Sequence, residues 1–156
     1  MESIREELQL FVRRFGLLNA SCCDECCGEQ VSMAQGHLLF EVRRSGIPSM
    51  QQVAEALGMD VTTFSRQVKN LEERGLVIKN VSPDDRRVNL LALTERGVQV
   101  LEKIDEYMDA KISHIFSVMT LFERDIVLRS LGLLNEALVK ASAHSEKQEG
   151  IIACCK

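Results

Sequence analysis

The 156-residue sequence has no run of about 18 consecutive apolar residues, the length a membrane-crossing helix needs, so no transmembrane helix is expected. Its opening, Met-Glu-Ser-Ile-Arg-Glu-Glu, lacks the basic-then-apolar order of a signal peptide, and a cytoplasmic location is expected. Cysteine is absent between Cys27 and Cys154, and all six cysteines crowd two poles of the chain. A secreted disulfide scaffold would spread them through its core, so ligands or redox centres in a reducing cytosol are the better expectation. Positive charge is in deficit. A formal net charge of −4 argues against a protein that coats nucleic acid with its whole surface, while leaving room for a local basic patch.

What is present suits a mainly helical domain with an added dimerisation element, and 46% hydrophobic content is enough to build a core. Ile4, Leu8, Phe11, Phe15 and Leu18 recur at alternating spacings of four and three, a helical stripe expected to run to about the first cysteine cluster. Ser32 stands three residues before Gln35, the spacing at which a hydroxyl and an amide satisfy each other's free backbone donors, and a second helix should follow to about Arg44 and close at Gly46. Ser49 and Gln52 repeat the device. Met50, Val53, Ala54 and Leu57 then form the buried stripe of a short third helix ending at Gly58.

Asp60 can cap a fourth helix with Val61, Phe64, Val68 and Leu71 facing inward and Gly75 ending it. Two short helices meeting across Gly58-Met59-Asp60 have the helix-turn-helix spacing. The outward face of the second carries Thr62, Thr63, Ser65, Arg66, Lys69 and Asn70, all able to bond phosphates or base edges. Two β-leaning runs, LVIKNV and RVNLLALT, flank the turn-forming SPDDR. Residues 61–89 carry a net charge of +2 against −6 for the rest, the split expected of a protein that touches DNA with one face.

Thr94 opens a long helix with Val98, Leu101, Ile104, Met108, Ile112, Ile115 and Met119 on one side. Thr120 and Glu123 form another capping box, and Val127, Leu131, Leu134 and Leu138 continue the stripe. These helices and the first have more apolar face than one small winged domain can cover, so a homodimer joined by them across a two-fold axis is expected. Residues 1–30 and 95–145 then form the helical dimerisation region, 31–94 the winged helix-turn-helix and 146–156 a mobile tail with Cys154 and Cys155.

Helix, helix-turn-helix, two-stranded wing and two long helices is the layout of the MarR family of transcription regulators. MQQVAEALGMDVTTFSRQVKNL, LEERGLV and DDRRVNLLALTERG are similar to its recognition helix, wing and following helix, and the resemblance covers roughly residues 4–142. It implies that Asp85 and Arg87 form a wing pair in which the acid orients the arginine toward the DNA backbone or minor groove, with Arg86 beside them. It also implies no catalytic activity and small anionic or phenolic ligands bound in a cleft between the dimer helices and the winged domain, with some members sensing oxidants or metals, while two copies related by two-fold symmetry would read a pseudo-palindromic double-stranded operator. Independently of the family, a recognition helix in the major groove would offer Arg66, Lys69 and Asn70, and a wing arginine suits a narrow A·T-rich minor groove.

The stretch SCCDECCGEQ departs from that family pattern. On a helix Cys22, Cys26, Cys23 and Cys27 would fall at roughly 0°, 40°, 100° and 140°, one side of the cylinder. Adjacent cysteines are poorly placed for an unstrained mutual disulfide, so the doubled pairs favour a thiophilic metal or metalloid effector: As(III) or Sb(III), Cd, Hg, Zn or Cu(I). Cys23 and Cys26 also make a C-x-x-C, which keeps thiol redox sensing open, although Asp24 and Glu25 oppose thiolate formation. Cys154 and Cys155 are within reach of the cluster, since the tail from Ala143 can span roughly 30 Å. A small thiol–disulfide or metalloid-handling enzyme is the rival class, and the lack of a βαβ pattern around the cysteines counts against it. His37, His114 and His144 are scattered and carry no assigned role. DNA binding itself should need no cofactor.

Overall fold

The computed structural model describes residues 3–17 and 31–145, with side chains to residue 141. The four clustered cysteines, Leu18 and the tail beyond Ser145 lie outside them. Contacts divide the chain into two compact units, residues 1–108 and 109–156.

Among the described residues six helices and two strands follow in order: α1 Ile4–Phe15, α2 Met33–Ser45, α3 Met50–Ala56, α4 Val61–Glu73, β1 Val77–Val81, β2 Asn89–Leu93, α5 Glu95–Ser117 and α6 Leu121–Ser145. The predicted capping boxes are present at Ser32/Gln35, Ser49/Gln52 and Thr120/Glu123. A fourth, unpredicted, joins Ser3 and Glu6 at the start of α1. Helix α1 stops at Phe15, short of the predicted end near the cysteines. Gly16 takes φ 84°, and the N–H groups of Gly16 and Leu17 bond back to Arg13 and Val12, a left-handed cap that only glycine adopts cheaply.

The core of the first unit gathers Leu38, Leu39 and Val42 of α2, Val53 and Ala54 of α3, Phe64, Val68 and Leu71 of α4, Leu76 and Val77, Leu91 of β2, and Val100 and Leu101 of α5. Val31, just ahead of the α2 cap, is buried with them. Val61 does not join: at the first position of α4 it is 74% exposed. On α5 the buried side is Gly97, Val100 and Leu101, whereas Val98 is only half-buried.

Strands β1 and β2 pair antiparallel with Val77 opposite Leu93 and Val81 opposite Asn89. The other edge of β2 is covered by residues just before α3. Leu91 N–H donates to the Pro48 carbonyl at 2.8 Å, and Ser49 bridges Leu90. The middle of β2 is thereby pinned to the start of the helix-turn-helix.

Many apolar side chains stay exposed in the single chain. On α1 they are Ile4, Leu8 and Phe11; in the second unit they include Leu121, Phe122, Leu128, Leu131, Leu134 and Leu138, with Val127 half-buried. No described helix is long and apolar enough to cross a membrane.

Candidate nucleic-acid interface

Helix α4 buries Phe64, Val68 and Leu71, which lie on one side of the cylinder at 100° per residue, and so must turn its opposite side outward. That side presents Thr62, Thr63, Ser65, Arg66, Lys69 and Asn70, all exposed, with Arg66 near its middle. The side chain of Arg66 makes no hydrogen bond or ion pair among the described residues. Lys69 Nζ lies 3.8 Å from Glu73, both largely exposed, a loose pair that water and a phosphate can displace.

Two of the six are also held from inside. Asp60 caps α4 by accepting the Thr63 N–H at 2.9 Å. Hydrogen bonds from the Thr63 side chain and backbone hold the Asp60 carboxyl below its ordinary value, so Thr63 serves the cap as well as the surface. Asn70 Oδ1 accepts a 2.9 Å hydrogen bond from Nε2 of Gln35, a residue only 7% exposed on α2. The sequence marked Gln35 as a helix cap. Its second task, gripping the recognition helix 35 positions away, has no local signal.

The wing tip is organised by Asp85. Its carboxylate accepts the Arg87 backbone N–H at 2.9 Å, its carbonyl accepts the Val88 N–H at 2.9 Å, and Ser82 N–H closes the loop on the Val88 carbonyl at 2.8 Å. The acid therefore orients Arg87 through the main chain, not by gripping its guanidinium. Arg86 and Arg87 are exposed, and their side chains make no hydrogen bond or ion pair among the described residues. Arg87 also borders a groove of about 580 Å³ running from Met50 and Met59 past Val61 and Phe64 to Asn89. Exposed Val61 thus lines the channel between recognition helix and wing.

A second polar set braces α2. Glu41, 8% exposed, receives both Arg44 Nε at 2.9 Å and Arg44 Nη2 at 2.7 Å, together with the Ser45 hydroxyl at 2.8 Å. Hydrogen bonding from Arg44 holds the Glu41 carboxyl below its ordinary value. Arg43 forms a 2.6 Å ion pair with Asp105 of α5 and stacks over Phe40. Among the described residues no three His, Cys, Asp or Glu side chains converge as metal ligands, and Cys22, Cys23, Cys26, Cys27, Cys154 and Cys155 fall outside them.

A recognition helix capped at Asp60, a second helix set against it and a two-stranded wing carrying outward arginines define a winged helix-turn-helix transcription regulator. The model of the MarR family matches residues 31–88 of the chain. It is 26% identical over 139 residues to the HTH-type transcriptional regulator YxaD of Bacillus subtilis, covering 89% of this chain and 95% of YxaD. Among solved structures, FabT of Streptococcus pneumoniae in complex with DNA superposes with a TM-score of 0.78 at 21% identity, over 88% of this chain and 96% of FabT. MarR itself gives 0.72 at 22%, over 88% and 98%. The family and fold are those of transcriptional regulators, which are not enzymes.

Proposed function

We propose that the chain is a homodimeric repressor that binds a pseudo-palindromic operator and leaves it when Cys22, Cys23, Cys26 and Cys27 bind a thiophilic metal or metalloid such as arsenite. The observation that carries the DNA-binding part is the pairing of Arg66, at the centre of the exposed face of α4, with Arg86 and Arg87 on the wing. One set suits the major groove and the other the narrow, electronegative minor groove beside it. Thr62, Thr63, Ser65 and Lys69 add phosphate or base contacts. FabT, similar in fold, was solved on DNA.

Dimerisation is supported by the apolar side chains that α1 and α6 leave in water in the single chain, Phe11, Leu131 and Leu134 among them. A two-fold dimer would set the recognition helices about one helical turn of DNA apart.

The effector reading rests on four cysteines within six positions, a density that suits thiolate chelation. Release by a hundredfold needs about 2.7 kcal/mol of coupling between the two sites. The test is operator binding by the reduced protein as arsenite, Cd, Zn and hydrogen peroxide are added separately. Release by one thiophilic guest, absent when the four cysteines are changed to Ser, is the expected result. Release by peroxide alone would replace chelation with thiol oxidation, and indifference to every addition would remove the cysteines from regulation.

A further inference from the structure

Gln35 has two polar ends, and the structure commits both. Its Oε1 accepts the Ser32 backbone N–H at 3.0 Å, and its Nε2 donates to Asn70 Oδ1 at 2.9 Å. A backbone N–H can only donate, so it dictates which end of the Gln35 amide faces Ser32. The other end, facing Asn70, must then be the NH2 group. Asn70 can answer a donor only with its oxygen. The polarity of the exposed amide on α4 is therefore set by a helix cap on α2, through a side chain that is almost wholly buried.

We infer that Asn70 acts on DNA as a hydrogen-bond donor only, meeting an acceptor such as guanine O6 or N7 or a phosphate oxygen, and does not make the two-bond pairing to adenine. This rests on α4 being the recognition helix. Adenine pairing needs the Asn oxygen to accept from N6–H while the nitrogen donates to N7. Here the oxygen is turned inward to Gln35 and the two N–H donors of Nδ2 are left for a ligand. Asn70 is exposed on the same face as Arg66, four residues earlier, so its donors extend the arginine's donor surface along one line.

The polarity can be reversed without touching the surface. In Gln35→Glu, the carboxylate still accepts the Ser32 N–H and keeps the capping box, but it has no donor for Asn70. Asn70 must then turn its NH2 inward and its oxygen outward. The experiment is selection of bound duplexes from a random library by full-length wild type, Gln35→Glu and the surface variant Asn70→Ala, with melting temperatures recorded for each.

On the duplex selected by wild type, Asn70→Ala is expected to bind about tenfold more weakly. Gln35→Glu should lose at least as much at an unchanged melting temperature. If the acceptor is a base, Gln35→Glu should also select a new base, adenine or cytosine replacing guanine, at one position per half-site. If it is a phosphate, the loss should be the same on every duplex. Asn70→Ala binding within twofold of wild type overturns the inference. So does Gln35→Glu selecting and binding the wild-type duplex unchanged while Asn70→Ala loses affinity, because orientation would then be irrelevant. Wild type retaining no duplex would overturn the functional reading and this inference together, whereas a failure confined to the variants overturns this inference alone.

Discussion

The Thr94 hydroxyl donates to the Gly75 carbonyl oxygen at 2.6 Å, joining the residue that ends the recognition helix to the one that starts α5. The Thr94 hydroxyl oxygen in turn accepts the Gly97 N–H at 2.9 Å, and Thr94 N–H donates to the Leu76 carbonyl at 3.1 Å. Arg96 adds a 3.2 Å bond to the Arg74 carbonyl. The Thr94 and Arg96 side chains thus meet carbonyls left open just past the recognition helix, while the Thr94 hydroxyl also caps the first turn of α5.

Gly97 sits at the closest point of that junction, where a Cβ would overlap the Leu76 carbonyl oxygen. Gly97→Ala should cost about 2–4 kcal/mol in chemical denaturation, since the obstacle is backbone and cannot step aside. Gly36→Ala is the control. Its Cβ would meet only Ile104 Cδ1 at 3.9 Å, so better helix propensity should leave it neutral or more stable by up to about 1 kcal/mol.

Arg87→Ala should weaken operator binding about tenfold or more while the dimer survives sedimentation analysis. If its guanidinium meets a phosphate, the slope of log affinity against log salt should shrink by about 0.9 per subunit. Unchanged affinity would take the wing out of DNA binding.

Acid should loosen α2 and α4 through Glu41 and Asp60. Both carboxyls titrate below their ordinary values when folded, Glu41 chiefly through Arg44 and Asp60 through Thr63. Their contributions are complete above the unfolded values and are lost as pH falls through those and then the lower folded values, below about pH 5. Melting temperature should drop over that range. Glu41→Gln should lower stability at pH 7 by about 1 kcal/mol and flatten the acid limb.

Leu131→Glu and Phe11→Glu place a charge on exposed apolar faces of α6 and α1. Each should shift sedimentation toward the monomer while the far-ultraviolet helix signal persists. A variant that still sediments as wild type would move the dimer contact elsewhere.

Much of this fold was legible because helix starts are written in adjacent residues. Ser32/Gln35, Ser49/Gln52, Asp60 and Thr120/Glu123 were all readable, and the outward set on α4 followed from the spacing of Phe64, Val68 and Leu71. Periodicity failed where a side chain sits at a helix end. Val61 fits the stripe, yet the helix begins beneath it and nothing lies above to cover it. On α5, close approach at Gly97 rotates the buried side toward Val100, which a stripe anchored on Val98 misses. The ties from Gln35 to Asn70 and from Thr94 to Gly75 join residues far apart in sequence. Only the folded chain brings them together.

Every one of the six described helices begins with a side chain that caps its own first turn: Ser3, Ser32, Ser49, Asp60, Thr94 and Thr120. Each of these capping bonds reaches no more than three residues along the chain, although Thr94 at the start of α5 also bonds to Gly75. Local instruction of this kind agrees with the final structure at every helix, the condition for a smooth folding landscape. The frame of the helix-turn-helix is thus specified largely by residues that are neighbours in sequence.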